Sequence, residues 1–450
     1  MNRSQNFTEG KIFSQLVSFA LPILLALFLQ TMYGAVDLLI VGQFAAASDV
    51  SGVATGSQFM HTVTVVITGL AMGLTVLVGR KIGEGKPKEA GRIIGSGIFL
   101  FTVLAVILAA VVIILAPNLS QLLHAPKEAF DETVSYIRIC SAGTIFIVAY
   151  NLVGSIFRGL GDSKIPLLTV AIACILNILG DLLLVAVFDM GTAGAAIATV
   201  FAQAMSVLLS LIVIRKRELP FTFSAKDLIP DIKLIKKILF LGTPIALQDL
   251  LVSISFLVIL AIVNSLGLIA SAGVGVAEKL CMFIMLVPSS YMQAMSAFVA
   301  QNIGAGKPER ARKALLCGIA SSFAVGALMF YLGFFHGDAL SSLFAKDTEV
   351  IMASFEYLKA YAIDCLFVAF LFCFIGYFNG CGKTLFVMIQ GIIAAFGVRI
   401  PISWIMSKQA GATLFHIGLA TPSATVVQII LCGIYFFIVK REQDKVYKLK

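Results

Sequence analysis

The sequence is short of charge. Asp, Glu, Lys and Arg make up 13% of its 450 residues, about half of the roughly 25% that a soluble domain carries. Hydrophobic residues reach 59%, beside 38 glycines and a mean hydropathy of +1.00. So little charge cannot solvate an ordinary surface, which excludes a soluble enzyme, a DNA-binding factor and a disordered chain. Clustered metal ligands are missing as well. The four histidines, His61, His124, His336 and His416, are scattered, and the eight cysteines form no CxxC or Cys/His group. That argues against a zinc site and a disulfide framework. The Gly83/Gly85 and Gly304/Gly306 loops lack the strand–loop–helix setting and the Gly-Lys-Ser/Thr ending of a phosphate cradle, which argues against nucleotide binding.

What remains is an integral membrane protein. A spanning helix needs about 20 mainly apolar residues, and twelve segments meet that need. In the first half they lie near 16–41, 52–78, 93–116, 133–157, 165–188 and 191–214. In the second half they lie near 238–263, 268–300, 314–335, 353–378, 384–407 and 415–439. The first is too long for a signal peptide and eleven more follow it. With the N-terminus placed in the cytoplasm, 26 of the 33 basic residues fall on inside segments, and the outside loops hold Lys127, Lys346 and Lys408. This bias predicts both termini inside, and it accounts for the net charge of +9 without nucleic acid.

The two halves resemble each other. Ile82-Gly83-Glu84-Gly85-Lys86-Pro87 recurs as Ile303-Gly304-Ala305-Gly306-Lys307-Pro308, a shift of 221. Phe157-Arg158-Gly159-Leu160-Gly161 returns at that shift as Phe378-Asn379-Gly380-Cys381-Gly382, and Pro22 pairs with Pro244 at 222. Six helices per half is an even number, so equivalent helices run in the same direction and the repeats are parallel, about an axis along the membrane normal. The expected organisation is an N-lobe over residues 1–214, a cytoplasmic linker over 215–237 and a C-lobe over 238–450, around a central cavity. That plan suits a rocking transporter better than a channel or a membrane enzyme.

With this repeat, Pro22, the stretch Thr31-Met32-Tyr33-Gly34-Ala35-Val36-Asp37, the paired glycine loops, Asn177-Ile178-Leu179-Gly180-Asp181 and Gly194-Ala195-Ala196-Ile197-Ala198-Thr199, the chain resembles the multidrug and toxic compound extrusion (MATE) transporters. The resemblance covers about residues 12–440, and the first lobe looks like the DinF-like branch. It implies an all-helical twelve-span antiporter, not an enzyme. Such a protein exports amphipathic or cationic organic compounds across the cell membrane in exchange for Na⁺ or H⁺, as a monomer and without a cofactor.

Ionisable residues inside a span are costly, about 2.5–3.5 kcal/mol each on insertion scales, and so mark function or structure. Asp37 lies fifteen residues beyond Pro22 in a helix otherwise free of charge. Asp181 follows Asn177 by four, which puts both on one helix face. With Thr199 they make a hard-oxygen set for Na⁺, or a carboxylate pair able to hold a proton. Against this stand a helix-end position for Asp37 and a structural hydrogen bond for Asp181. The resemblance implies that Asp37, Asn177, Asp181 and Thr199 form the N-lobe cation site. It places Tyr136 and Asn151 beside that site, where ordinary interhelical bonding is the competing account, and it gives Pro22 a gating bend.

The second lobe is less regular. Another branch of the family uses a glutamate in the seventh helix, where this chain has Gln248 and Asp249, and an aspartate in the tenth, where Asp364 lies about a turn from the matching position. Glu278 and Asp364 are candidate charges of a substrate cavity. Snorkelling or structural pairing competes with that reading. Arg399, just before Pro401, is expected to pair with a carboxylate or pack at a seam between the lobes. At the 221 shift Asn177 and Asp181 correspond to Val398 and Ile402, so the ion site is expected in one lobe only. Most of the 35 phenylalanines and 14 methionines are expected to face lipid. The alternative within transporters is a lipid-linked oligosaccharide flippase of the same superfamily. It is disfavoured because only Arg138, Lys279, Lys359 and Arg399 offer basic groups within spans.

Overall fold

The computed structural model describes residues 6–216, 225–409 and 411–448. Part of the expected linker, residues 217–224, and the terminal basic residues Arg3 and Lys450 lie outside the described residues. Among those described there are helices and no strands. In chain order the spans are α1 (Ile12–Phe44), α2 (Ala47–Gly83), α3 (Pro87–Leu122), α4 (Lys127–Ala142 with Thr144–Gly159), α5 (Lys164–Val187) and α6 (Gly191–Lys216). The second half repeats them as α7 (Ile232–Asn264), α8 (Leu268–Gly304), α9 (Pro308–Phe335), α10 (Thr348–Gly380), α11 (Thr384–Ser407) and α12 (Leu414–Lys445).

Eleven of these are long, apolar helices. The twelfth, α4, is a pair of helices meeting at 55°. The sequence suggests an unbroken apolar segment there, but Gly143 at the break has no side chain and Val200 of α6 closes on it. Ile107, Ile114, Phe240 and Phe437 are exposed on the outside of the helices. Such residues are stable there because hydrocarbon is the solvent, while each helix satisfies its own backbone polar groups.

The repeat holds at the level of backbone conformation. Gly85 and Gly306 both have φ +70°, a left-handed conformation that favours glycine. After each comes a lysine N-cap, whose backbone N–H donates to Lys81 O at 3.0 Å in the first copy and to Asn302 O at 2.8 Å in the second. Pro87 and Pro308 then open α3 and α9, where the missing N–H costs nothing.

Two compact units contain these helices, and their limits do not follow the halves. One runs from Leu25 to Ala246; the other joins Asn6–Leu24 to Leu247–Lys450. The divisions fall two residues after Pro22 and two after Pro244. Within the first unit, α7 approaches α2 through glycines. A Cβ on Gly73 would stand 2.7 Å from Gly242 N and Ile238 O, and one on Gly69 would stand 2.7 Å from Ala246 Cα. A core of Ile67, Leu74, Phe101, Val148, Leu152 and Phe157 lies alongside.

Within the second unit, the chain entering α1 is tied to α9. Arg310 donates to the carbonyls of Phe7, Glu9 and Gly10 and to Gln15 Oε1, all at 2.7–2.8 Å. Phe7 packs edge to face on Phe19 and at a tilt on Phe298. The close glycine approach gives a stability prediction. Gly73→Ala meets backbone that cannot move aside and should cost about 1–3 kcal/mol, read as a lower melting temperature in detergent. Gly433→Ala, with no atom within 4 Å of the new methyl, should not lower it.

Candidate functional site

The first unit brings the expected acidic residues together. Asp37 is buried at 5% exposure, Asn177 at 1% and Asp181 at 0%, so the helix-end reading of Asp37 does not hold. Asn177 Nδ2 donates to Thr199 Oγ1, and Thr199 Oγ1 donates to Asp37 Oδ2, each at 3.4 Å. The Asp181 carboxyl lies near that of Asp37.

Four oxygens in this group have no hydrogen-bond partner: Asp37 Oδ1, Asn177 Oδ1, Asp181 Oδ1 and Asp181 Oδ2. Buried polar atoms are nearly always satisfied, and two ionised carboxylates side by side repel strongly in a medium of low polarity. A bound cation or a shared proton cures both defects. The set of two carboxylates, one amide oxygen and one hydroxyl suits a hard monovalent cation.

Local sequence explains how the helices place these atoms. Asp181 is the last α-helical residue before a π-helical turn, Leu182–Val187, a widening often found at functional sites. Gly180 has no Cβ and lets Ala198 of α6 approach, so a methyl at 180 would stand 2.9 Å from Ala198 Cβ. Gly56 of α2 makes room for the ring of Tyr136, whose Cδ1 would lie 2.5 Å from a Cβ there.

The neighbours divide. Tyr136 is buried and its hydroxyl reaches Thr199, so it belongs to the group. Asn151 does not. Its Oδ1 accepts from Thr68 Oγ1 at 3.0 Å and its Nδ2 donates to Ile147 O at 2.8 Å, which is the interhelical bonding weighed above. Two members escaped the sequence reading. Tyr33 lies near Asp37 and Gln203. Tyr33 is one turn before Asp37 and Gln203 one turn after Thr199, so each shares a helix face with a residue of the group, which by itself does not assign it a role. Pro22 lies inside a continuous α1.

In the second unit no hydrogen bond or ion pair joins the candidates among the described residues. Gln248 is buried against Gly391. Glu278 is half-buried on α8, and Asp364 is 2% exposed. Arg399 ends a π-helical turn, Ala395–Arg399. Its Nη1 donates to Ser255 Oγ at 3.0 Å and its guanidinium lies 4.5 Å from the Phe256 ring centroid. Both partners belong to the second unit.

A transporter built on a twofold six-helix repeat, with an acidic group buried in its first copy, is the class these features define. The comparisons name the family. The MatE family model matches twice, over residues 22–183 and 244–405, which together span most of the chain, and the chain belongs to that family of transporters. It is similar to the probable multidrug resistance protein YpnP of Bacillus subtilis (strain 168), 28% identical over 418 residues and 93% of each chain. It also resembles YoeA, a probable multidrug resistance protein of the same strain, 25% identical over 98% of this chain and 97% of the relative. A solved structure described as the outward-facing conformation of a multidrug resistance MATE family transporter of the MOP superfamily matches with TM-score 0.91. It covers 98% of this chain and 99% of that one at 19% identity, a likeness of fold.

The two family matches begin 222 residues apart and end 222 apart.

Proposed function

We propose that the protein is a secondary antiporter that expels amphipathic or cationic organic compounds while Na⁺ or H⁺ enters through Asp37, Asn177, Asp181 and Thr199. The observation that carries this reading is the group of four unpartnered buried oxygens on these side chains. Tyr136 supports the site by its contact with Thr199. Pro22 bends α1 as the lobes, residues 1–214 and 238–450, exchange access. The linker and both termini lie in the cytoplasm, as the basic residues of the loops suggest. The protein works as a monomer of the DinF-like branch in the cell membrane, with the coupling ion and no cofactor.

The energetics suffice. One cation entering down a potential of 100 mV releases about 2.3 kcal/mol, enough at 1.4 kcal/mol per decade to concentrate a neutral compound roughly 50-fold. A monovalent cationic compound exchanged one for one draws nothing from the potential and must rely on the ion gradient. Efflux of neutral and cationic dyes from proteoliposomes tests the proposal, with sodium and proton gradients collapsed separately. Uphill efflux should stop when one gradient is removed and survive removal of the other. Efflux that survives loss of both would refute antiport.

A further inference from the structure

The two glycine loops share a backbone and differ in charge. Gly85 and Gly306 have the same φ, and Lys86 N–H donates to Lys81 O just as Lys307 N–H donates to Asn302 O. Residues 81–90 and 302–311 therefore correspond one to one. In the first copy the lysines meet carboxylates of the loop itself. Lys81 Nζ lies 2.7 Å from Glu84 Oε2 and 2.7 Å from Glu89 Oε2. Lys86 Nζ lies 3.8 and 3.7 Å from the same two side chains. In the second copy Ala305 and Arg310 stand in place of those acids, and Asn302 in place of Lys81. Asn302, Lys307 and Arg310 turn instead to the chain that enters α1.

Together these three side chains hold four consecutive carbonyls. Asn302 Nδ2 donates to Phe7 O at 3.2 Å and Lys307 Nζ to Thr8 O at 3.0 Å. Arg310 Nε adds a second bond to Phe7 O, while its Nη2 and Nη1 reach Glu9 O and Gly10 O. Gly10, at φ +79°, makes the turn before α1. The Phe7 ring is fully buried against Phe19 and Phe298. A planar guanidinium with several donors fixes both the position and the orientation of such a segment, which a single point charge does not.

The clasp holds one end of the helix that carries Asp37. That helix is continuous from Ile12 to Phe44. Its residues up to Leu24 belong to the second unit and those from Leu25 to the first. Asp37 lies twelve residues beyond Leu25, about 18 Å along the axis at 1.5 Å per residue. A stiff helix passes on a displacement only where its far end is held, and a loose end would slide. We propose that Arg310 is a positioning residue of the transport cycle. With Asn302 and Lys307 it anchors the start of α1 in the second unit, so that a change at Asp37 reaches that unit through one helix. The inference rests on the reading of Asp37 and Asp181 as the ion site.

The test compares full-length variants in proteoliposomes. Ala305→Glu with Arg310→Glu gives the second loop the acids of the first, whose backbone accommodates them, and offers Lys307 carboxylates of its own. Phe7→Ala loosens the clasp from the other side and stands in if the double variant does not fold. Coupling between sites is typically worth 5–150-fold, so uphill efflux should fall about tenfold in either variant. Cation binding, read with ²²Na⁺ and by proton release, should keep its wild-type midpoint. Downhill exchange of labelled for unlabelled compound should keep its wild-type rate, whereas a merely structural defect would lower all three together. Phe7→Ala combined with Arg310→Ala should lose no more than either alone, because the two act in one contact. Wild-type uphill efflux in the variants overturns the proposal, and so does a parallel loss of exchange and cation binding, or an additive loss in the combination. Failure of the ion-site reading shows elsewhere, as an Asp181→Asn protein with an intact clasp that binds cations like the wild type.

Discussion

Asp181→Asn should abolish ion-coupled efflux while the protein remains inserted and folded. The substitution keeps the shape of a side chain that is fully buried but removes one of two carboxylates from the group and leaves a neutral amide facing Asp37. Interactions with a charged partner are worth about 1.5–3 kcal/mol, so apparent affinity for the coupling ion should fall on the order of 100-fold. Efflux against a gradient should then vanish at ion concentrations that saturate the wild type. Downhill exchange of labelled for unlabelled compound should persist, because the substrate path does not need the gradient. The measurement is dye transport in proteoliposomes with the variant present at wild-type level. Near-normal uphill transport by such a preparation would remove Asp181 from the ion site.

The second large effect is one of selectivity. Asp364→Asn removes a buried carboxylate from the second unit, which also holds the buried guanidinium of Arg399 beside Phe256. Cationic compounds should then be disfavoured relative to neutral ones, by roughly 10-fold if the change in field is worth about 1.4 kcal/mol at the substrate. Dependence on the sodium or proton gradient should not change. A panel of dyes matched in size and differing in charge reads this as altered ratios of efflux rates. If Asp364→Asn abolished ion dependence as completely as Asp181→Asn, coupling through one lobe would be wrong.

Much of the architecture was legible in the residues, because the membrane makes hydrophobic length a strict code. A segment of about 20 apolar residues has only one stable form in hydrocarbon, a helix that closes its own hydrogen bonds. Eleven spans therefore stand where the segments predict them. The exception, α4, breaks at Gly143, and the apolar pattern cannot report the bend because both arms remain apolar. The repeat was also legible. The glycines at 85 and 306 recur for a backbone reason, the shared left-handed φ, and such demands leave a mark in sequence.

The site was legible in part. An acidic residue without a charged neighbour in an apolar helix announces itself by its cost, so Asp37 and Asp181 could be named, and a separation of four added Asn177. Tyr33, Gln203 and the Asn151–Thr68 bond could not be assigned, because a tyrosine or an amide in a span costs little enough to have many explanations. The sequence by itself determined the class of protein, the number of spans, the twofold repeat and the residues too expensive to be idle. Only the tertiary structure decided which of them share a pocket and that Asn151 bonds elsewhere. It also decided that the first turns of α1 and α7 pack with the unit opposite to their half. Those outcomes depend on helix rotation and on close approach at glycines such as Gly56, Gly73 and Gly180. A turn of the helix by 100° per residue changes partners completely while leaving the apolar pattern of the chain as it was.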